Sequence, residues 1–336
     1  MDYSGYSTKI IKDIIRLRRR IAVSGIPAKK LDKNLILGSW NIRSFGDYYD
    51  AWSENSGSPK RNLRAMVYIA EVIQHFDVIA IQELKRNTSA MQYLLEEHLG
   101  NDWGLLMSDV TAGDKGNTER LAFIYDRRRV QASGLAGEIV LPPNDAGDPV
   151  EQFDRTPYVV GFRTAHEQFS MLTTHIRYGD QDTDRVAEIE SIARYAAKEL
   201  YERAKTTPEG RNLIIMGDFN IDSRGDNLLF KAFTSTGLIV PEQLLNMKTT
   251  YGSDPKFYDQ IAWFMDGLES FNQYDAGVIN FADAVFKELT LRQMSYRVSD
   301  HFPLWVAFDL DSDERQIAKI LNVDLASPDP FSGVKE

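Results

Sequence analysis

The stretch Leu213-Ile214-Ile215-Met216-Gly217-Asp218-Phe219-Asn220 places a carboxylate and an amide directly after a run of apolar residues. The run, with two β-branched residues inside it, predicts a short buried strand that ends at Gly217. Asp218 and Asn220 stand two residues apart, so their side chains would emerge on the same side of an extended chain. Such a pair can hold a cation or a water molecule and donate a hydrogen bond to an anionic oxygen. For this motif taken alone, a turn with side-chain-to-backbone hydrogen bonds is the commoner interpretation.

Polar residues recur at one end of almost every stretch that predicts a strand. The predicted strands cover 35–42, 78–81, 121–125, 158–162, 169–174, 213–216, 260–264 and 303–308. Their boundaries carry residue types that metal and phosphate sites use, namely Asn41, Glu83, His175, Asp218, Asn220, Asp259, Asp300 and His301. If two sheets pack face to face with these strand ends on one rim, the polar side chains gather in a single cleft.

Composition limits the class of protein and of partner. The chain of 336 residues has 43% hydrophobic and 26% charged residues, which is ordinary for a soluble globular protein. Its formal net charge of −10 excludes a global basic footprint for nucleic acid, so a polyanion would need a local basic patch or bound cations. The absence of cysteine excludes disulfides and thiolate metal sites and favours a reducing compartment. With no apolar run near the roughly 20 residues of a membrane span and no signal-peptide pattern, we expect a cytoplasmic protein without stable membrane association. The sequence does not give the oligomeric state, for which a monomer is the simplest expectation.

Helical periodicity fills the gaps between the predicted strands and marks both ends of the chain. It predicts helices over 8–21, 61–76, 89–98, 183–204 and 314–321. We therefore expect an N-terminal helical extension over 1–34, a catalytic domain over 35–310 and a C-terminal tail over 311–336. The extension, which we expect to be separable from the domain, ends in the basic run Arg18-Arg19-Arg20. That run is either an arm for phosphates or anionic lipid or, more commonly, the solvated face of a helix that caps the domain.

A set of short motifs carries a resemblance to a known family. In chain order the motifs are Trp40-Asn41-Ile42-Arg43-Ser44-Phe45-Gly46, Ile81-Gln82-Glu83, Glu119-Arg120-Leu121-Ala122-Phe123, Arg155-Thr156-Pro157, Thr174-His175, Gly217-Asp218-Phe219-Asn220, Tyr258-Asp259-Gln260-Ile261 and Ser299-Asp300-His301-Phe302-Pro303. Together they resemble the endonuclease/exonuclease/phosphatase superfamily, in its deoxyribonuclease I-like branch, and they span residues 35–308. The resemblance implies an α+β fold, a four-layer α/β/β/α sandwich of two packed mixed sheets flanked by helices. It also implies magnesium-dependent cleavage of phosphate esters.

The residue types suit this chemistry, because hydrolysis of a phosphodiester needs an activated water and neutralised phosphate charge. His301 is the candidate general base, since histidine titrates near neutral pH, and Asp259 would orient its ring. His175 with Glu119 is similar to a second such pair, on the opposite side of the phosphate.

Oxygen ligands form the candidate metal site. Glu83 and Asp300 are carboxylates suited to Mg²⁺, with Mn²⁺ or Ca²⁺ as other cations, and Asn41 could support the metal or donate to phosphate. Asp218 would hold the water or a second cation, and Asn220 would donate to a phosphate oxygen.

Cationic residues beside these motifs favour a nucleic acid substrate, most simply DNA. Arg155 resembles a phosphate-contacting arginine of the family, and its planar fork matches phosphate oxygens. Arg43 and Lys85 are further candidates for phosphate binding, in a cationic rim that also includes Arg86 and Arg177.

Two departures from the family pattern leave the preferred nucleic acid open. Lys85 replaces an arginine that contacts the minor groove, and Asn117 replaces an aromatic residue that does the same. Two alternatives also stay open: a phosphatase or phosphodiesterase that acts on phosphoinositide or phospholipid headgroups, and an inactive binding module. Retention of both histidines and their carboxylate partners argues against the inactive module.

Overall fold

The computed structural model describes residues 3–53, 59–111, 118–143, 146–179, 181–268, 271–310, 317–318, 320–324, 327 and 329–334. The strands are β1 (Asn34–Phe45), β2 (Val78–Lys85), β3 (Trp103–Met107), β4 (Glu119–Asp126), β5 (Gln131–Glu138), β6 (Tyr158–Arg163), β7 (Gln168–His175), β8 (Leu213–Asp218), β9 (Leu238–Ile239), β10 (Asp259–Phe264), β11 (Phe271–Val278) and β12 (Leu304–Leu310). The helices are α1 (Thr8–Val23), α2 (Leu63–Ile73), α3 (Ser89–Tyr93), α4 (Asp182–Ser191), α5 (Leu200–Ala204), α6 (Pro208–Arg211), α7 (Leu228–Thr234) and α8 (Leu291–Ser295). π-helical turns continue α3 over Leu94–Leu99 and α4 over Ile192–Glu199, and a 3₁₀ turn covers Glu242–Leu244.

The strands form two six-stranded mixed sheets. The first has the order β11-β12-β1-β2-β4-β3 and the second the order β5-β6-β7-β8-β10-β9. One pair in each sheet is parallel, β1 with β2 and β7 with β8, and the other neighbours are antiparallel. Helices flank the sheets, so the predicted four-layer α/β/β/α sandwich and its α+β class are confirmed.

The alternation of side chains along β1 explains how the layers pack. Leu35 and Leu37 belong to the apolar cluster that also contains Met171 and Ile214 of the second sheet. Ile36, between them, belongs to a different cluster formed with helices α1 and α2. Because neighbouring side chains of a strand point to opposite faces, β1 contributes apolar side chains both to the core between the sheets and to the contact with the outer helices.

Helix α1 is packed into the sandwich. Its residues Ile10, Ile14, Leu17 and Ile21 are buried in the same cluster as α2, at the spacing that places them on one helical face. Asp13, on that face, forms a buried ion pair with Arg64 of α2. The basic run is partly ion-paired as well, because Arg18 bonds Glu71 at 2.8 Å. The helix therefore contributes to the core, so removal of residues 1–34 should lower the stability of the domain.

The structure also adds strands that the sequence pattern does not predict, notably β3, β5 and β11. The long helix predicted over 183–204 is present as α4, a π-helical stretch and α5. Asn117 and most of the predicted C-terminal helix lie outside the described residues, although 317–318 and 320–321 are helical. Within the described part of the chain, no helix has both the length and the apolar character needed to cross a bilayer.

Candidate active site

Asn41 occupies the point where β1 and β2 lose their regular pairing. The register of these strands shifts between Asn41 and Phe45, and that of β2 with β4 shifts between Ile81 and Leu84. Glu83, inside the shifted segment, has a φ of +61° and Ser44 has a φ of +46°. Non-glycine residues occupy this region at a cost, and such strain gathers at functional sites. The irregularity turns Glu83 toward Asn41, whose Nδ2 donates to Glu83 Oε1 at 3.0 Å.

His175, at the end of β7, and His301, in the segment before β12, converge on Asp218. His175 Nε2 lies 3.6 Å from Asp218 Oδ2, and His301 Nε2 lies 3.7 Å from the same oxygen. The other ring nitrogen of each histidine faces a carboxylate: His301 Nδ1 lies 2.8 Å from Asp259 Oδ2, and His175 Nδ1 lies 3.0 Å from Glu119 Oε2. An ionised carboxylate only accepts hydrogen bonds, so each Nδ1 carries a proton and each Nε2 points into the cleft. The structure thus brings together both of the histidine–carboxylate pairs considered from sequence.

The electrostatics of this group are dominated by burial and by its own charges. Burial alone would lower the pKa of His301, but the negative charges of Asp259 and Asp218 outweigh it and raise the pKa to about 10. Burial alone would raise the pKa of Asp218, but the charges of His301 and His175 and hydrogen bonds from Asn41 and Asn220 lower it. Asp218 is therefore an anion held between two imidazoles.

Glu119 is the centre of a cationic cluster that the sequence does not predict. Its Oε2 accepts from Arg155 Nε at 2.6 Å as well as facing His175, and its Oε1 accepts from Lys85 Nζ at 2.8 Å. Burial of Glu119 alone would raise its pKa, but His175, Arg155 and Lys85 outweigh it and lower the pKa to about 2. Arg155, only 7% exposed, also approaches the carbonyl of His175 at 3.5 Å. Arg155 and Lys85 are thus both bonded to the carboxylate that holds His175.

Asn220 is fixed in a tight turn after β8. Its φ is +49°, its backbone N–H donates to Asp218 Oδ1 at 2.9 Å, and its Nδ2 donates to the carbonyl of Ile176 at 2.8 Å. Gly217, just before, has a φ of +145°, and a Cβ atom there would lie 2.1 Å from the carbonyl oxygen of Thr174. The glycine is needed because β7 and β8 approach this closely where they deliver His175 and Asp218.

The expected cationic rim consists largely of ion-paired side chains. Asp300, proposed from sequence as a metal ligand, is 39% exposed at its side chain and pairs with Arg43 at 3.0 Å. Arg177 pairs with Asp154 at 3.0 Å. With Lys85 and Arg155 bonded to Glu119, only Arg86 of the rim is exposed without a partner among the described residues.

Three residues to which sequence reasoning gave no role support the site. Trp40, fully buried, donates from Nε1 to the carbonyl of His301 at 3.0 Å. Ser299 Oγ donates to the carbonyl of Asn41 at 2.6 Å and accepts from the backbone N–H of His301 at 3.1 Å. Arg185 donates from Nη1 to the carbonyl of Asn220 at 2.6 Å. Trp40 and Ser299 adjoin site residues in the motifs, which is a usable signal, whereas nothing in the sequence marks Arg185.

Carboxylates and an amide at this site fit a divalent cation. Asn41 Nδ2 donates to Glu83 and also to Asp218 Oδ2 at 2.9 Å, which fixes the orientation of the amide. Its Oδ1 is buried and has no hydrogen-bond partner within the described residues. Asp218, Asp259 and His301 also bring one ligand atom each within 4.8 Å of one another. An orphaned amide oxygen beside carboxylates suits a hard cation such as Mg²⁺.

Sequence comparison matches the chain to a known family. The model of the Endonuclease/Exonuclease/phosphatase family matches residues 38–238. The chain is 29% identical over 287 residues to a deoxyribonuclease of Thioalkalivibrio sp., covering 82% of this chain and 71% of that protein. It is 27% identical over 296 residues to mouse deoxyribonuclease gamma, covering 83% of this chain and 85% of that protein.

A solved structure shares the fold at low sequence identity. The mannosyl-6-phosphatase of Bacteroides thetaiotaomicron superposes with a TM-score of 0.53 at 19% identity, over 81% of this chain and 98% of that one. The matched segment 38–238 includes Asn41, Glu83, His175 and Asp218. The chain therefore belongs to the endonuclease/exonuclease/phosphatase family.

Proposed function

We propose that this protein hydrolyses phosphodiester bonds in DNA with the help of a divalent cation. The observation that carries the proposal is the pair of imidazole Nε2 atoms at 3.6 and 3.7 Å from one oxygen of Asp218, each ring held from behind by a carboxylate. A phosphate group bound at Asp218 through a cation or a water would meet a nitrogen on each side. In such an arrangement one nitrogen can accept a proton from the attacking water and the other can donate a proton to the leaving oxygen.

In this proposal His301 removes the proton from the attacking water. Asp259 fixes the ring through Nδ1, so that the lone pair of a neutral ring lies on Nε2, and it stabilises the cation that forms. Without a bound cation, the carboxylates hold His301 protonated at neutral pH, as the raised pKa indicates. A cation bound among the same carboxylates would offset their charge and favour the neutral ring.

His175 serves the opposite side of the phosphate. Glu119 holds Nδ1 and leaves Nε2 to donate to a phosphate oxygen or to the leaving oxygen. Asn220 has one amide hydrogen engaged with the carbonyl of Ile176, and the other is available to the phosphate. Arg155, bonded to Glu119, adds positive charge next to this half of the site.

Glu83, Asn41 and Asp218 are the residues that we propose would hold the cation, with Asp300 next to His301 as a further ligand. When bound, a divalent cation neutralises the phosphate and acidifies a bound water. Asn41 donates to Glu83 and Asp218, so the protein positions all three side chains relative to one another.

DNA is the substrate that the relatives favour, since the two sequence relatives described above are named deoxyribonucleases. The rival is a phosphatase or phosphodiesterase on phosphoinositide headgroups. The test is to incubate the purified protein with supercoiled plasmid, linear duplex, single-stranded DNA, RNA and phosphoinositide vesicles, each with Mg²⁺, Mn²⁺, Ca²⁺ or excess chelator. We expect nicking of the plasmid that requires a divalent cation. Release of inorganic phosphate from the vesicles without nicking would refute the nuclease proposal in favour of the phosphatase.

A further inference from the structure

The partly exposed ring of Tyr296 stacks against Arg43 at the edge of the candidate active site. Arg43 Cζ lies 4.1 Å from the centroid of this ring, and Tyr296 is 43% exposed. A guanidinium that stacks on an aromatic face is attracted by the ring's negative face, and the planar group is held in one orientation. Tyr296 follows α8, whose last residue Ser295 also contacts Arg43.

The guanidinium of Arg43 is anchored on one side only. Its Nη1 donates to Ser295 Oγ at 2.8 Å and to Asp300 Oδ2 at 3.0 Å. Its Nε and Nη2 have no hydrogen-bond partner within the described part of the chain, and the side chain is 30% exposed. An arginine that is fixed but keeps free donors is suited to bind an anionic oxygen from solution.

The backbone of Arg43 is joined through Ser299 to the segment that carries His301. Its N–H donates to Ser299 Oγ at 3.2 Å, and that hydroxyl also accepts from the N–H of His301 and donates to the carbonyl of Asn41. Arg61, itself buried, donates to the carbonyl of Arg43 at 2.8 Å. The Nε and Nη2 donors of Arg43 are thus held at a fixed place relative to His301.

We propose that Tyr296 is a positioning residue for the substrate strand. Its ring holds the Arg43 guanidinium so that the free donors meet a phosphate next to the one that is cleaved. The inference rests on the proposed function only in taking a nucleic acid strand as the ligand. A strand spans more than one phosphate, so the loss of Tyr296 weakens binding of DNA and leaves the chemical step intact. A small diester, which reaches only the central site, does not sense Tyr296.

The test measures both binding and turnover for Tyr296→Ala, Tyr296→Phe, Arg43→Ala and the double variant. Binding of a fluorescently labelled DNA duplex is followed by anisotropy at low salt in excess chelator, where the proposed function predicts no cleavage, and turnover is followed on plasmid DNA and on bis(p-nitrophenyl) phosphate in Mg²⁺. We expect Tyr296→Ala to raise Kd and KM for DNA about threefold to tenfold with kcat unchanged. Tyr296→Phe, which keeps the ring, restores the wild-type values. In the Arg43→Ala background, adding Tyr296→Ala should change Kd and KM for DNA very little.

The matched control is Tyr274→Ala on β11, a tyrosine of similar exposure at 40%, which should leave DNA binding unchanged. Equal losses for the Ala and Phe variants, or additive losses for Arg43 and Tyr296, would overturn the role of the ring. A wild-type protein that binds DNA and shows the coupling without cleaving it would overturn the proposed function and keep this inference. A wild-type protein that does not bind the duplex would overturn both.

Discussion

Asn41 Nδ2 donates to Asp218 Oδ2 over 2.9 Å, although the two residues belong to strands of different sheets. Asn41 lies on β1 in the first sheet, and Asp218 ends β8 in the second. Both residues are almost completely buried, so this hydrogen bond crosses the gap between the sheets without competition from water. Because Asn41 Nδ2 also donates to Glu83, the same amide fixes the position of Glu83 relative to Asp218.

Glu83→Gln should raise the Mg²⁺ concentration needed for half-maximal cleavage. The substitution keeps the shape of the side chain and removes the charge that a hard cation prefers. A Mg²⁺ titration of plasmid nicking measures the shift, with Glu242→Gln, on an exposed 3₁₀ turn, as the control. If the titration of the Glu83 variant coincides with that of the control, Glu83 is not a ligand.

His301→Ala and His175→Ala should each lower kcat by about 10² or more, the scale expected for a general acid–base group. Both rings are buried and bonded to carboxylates, so thermal unfolding of each variant is measured beside turnover to separate loss of catalysis from loss of stability. His166→Ala, in an exposed loop, serves as the control and should cleave like the wild type. Near-normal turnover of His301→Ala would show that another group activates the water.

Leu17→Ala should lower the free energy of unfolding by about 2–5 kcal/mol, because it leaves a cavity between α1 and α2. Leu17 is fully buried, whereas Ile15 on the opposite face of the same helix is 45% exposed. Ile15→Ala should therefore change stability by only about 0.5 kcal/mol. Urea denaturation of both variants decides whether α1 belongs to the folded unit, and equal small effects would favour a separable extension.

Asp126→Asn should destabilise the protein at neutral pH but not in strong acid. Burial of Asp126 alone would raise its pKa, but hydrogen bonds and charges from Arg128 and Lys29 outweigh it and lower the pKa to about 2. Because the folded-state pKa lies below the unfolded value of about 3.9, the carboxylate stabilises the fold above pH 4. The stabilisation is lost as the pH falls toward 2.

The stability difference between wild type and Asp126→Asn is measured by urea denaturation from pH 7 to pH 2. We expect it to shrink across the window from pH 4 to pH 2, and to amount to about 2 kcal/mol at pH 7. Asp226→Asn, at an exposed loop position, controls for the loss of one negative charge. A difference that is independent of pH would mean that the ion pairs of Asp126 add no stability.

The motif strands were predictable because their chemistry is local. An apolar run such as Ile79-Ala80-Ile81 is buried on both faces and forms a strand wherever the chain places it. Strand β5 was not predictable, because its sequence QASGLAGE contains two glycines and lies at the sheet edge with most side chains partly or fully exposed. Strand β11 carries the polar run Asn272-Gln273-Tyr274-Asp275, which has no clear apolar alternation.

Prediction of the site from the sequence is limited in the same way, because only local patterns can be read from it. The strand-end positions of His175 and His301 could be read from the sequence, and their convergence followed from the family resemblance. The use of Lys85 and Arg155 as partners of Glu119 could not, because a sequence does not say which carboxylate a cation meets. Arg185 reaches the carbonyl of Asn220 from α4, 35 positions away in the chain, and no local pattern reports such a contact.

The place of β12 has a consequence for how activity arises during synthesis. β12 lies between β11 and β1, and Asn34 at the start of β1 pairs with Asp309 near the end of β12. The first sheet is thus completed only when segments far apart in the chain pair with each other, and His301 lies three positions before Leu304, the first residue of β12. Pairings of such high contact order form late. On the proposed function, we expect that a nascent chain whose β12 has not yet emerged, and which therefore lacks both the completed sheet and His301 in place, cannot cut nucleic acid.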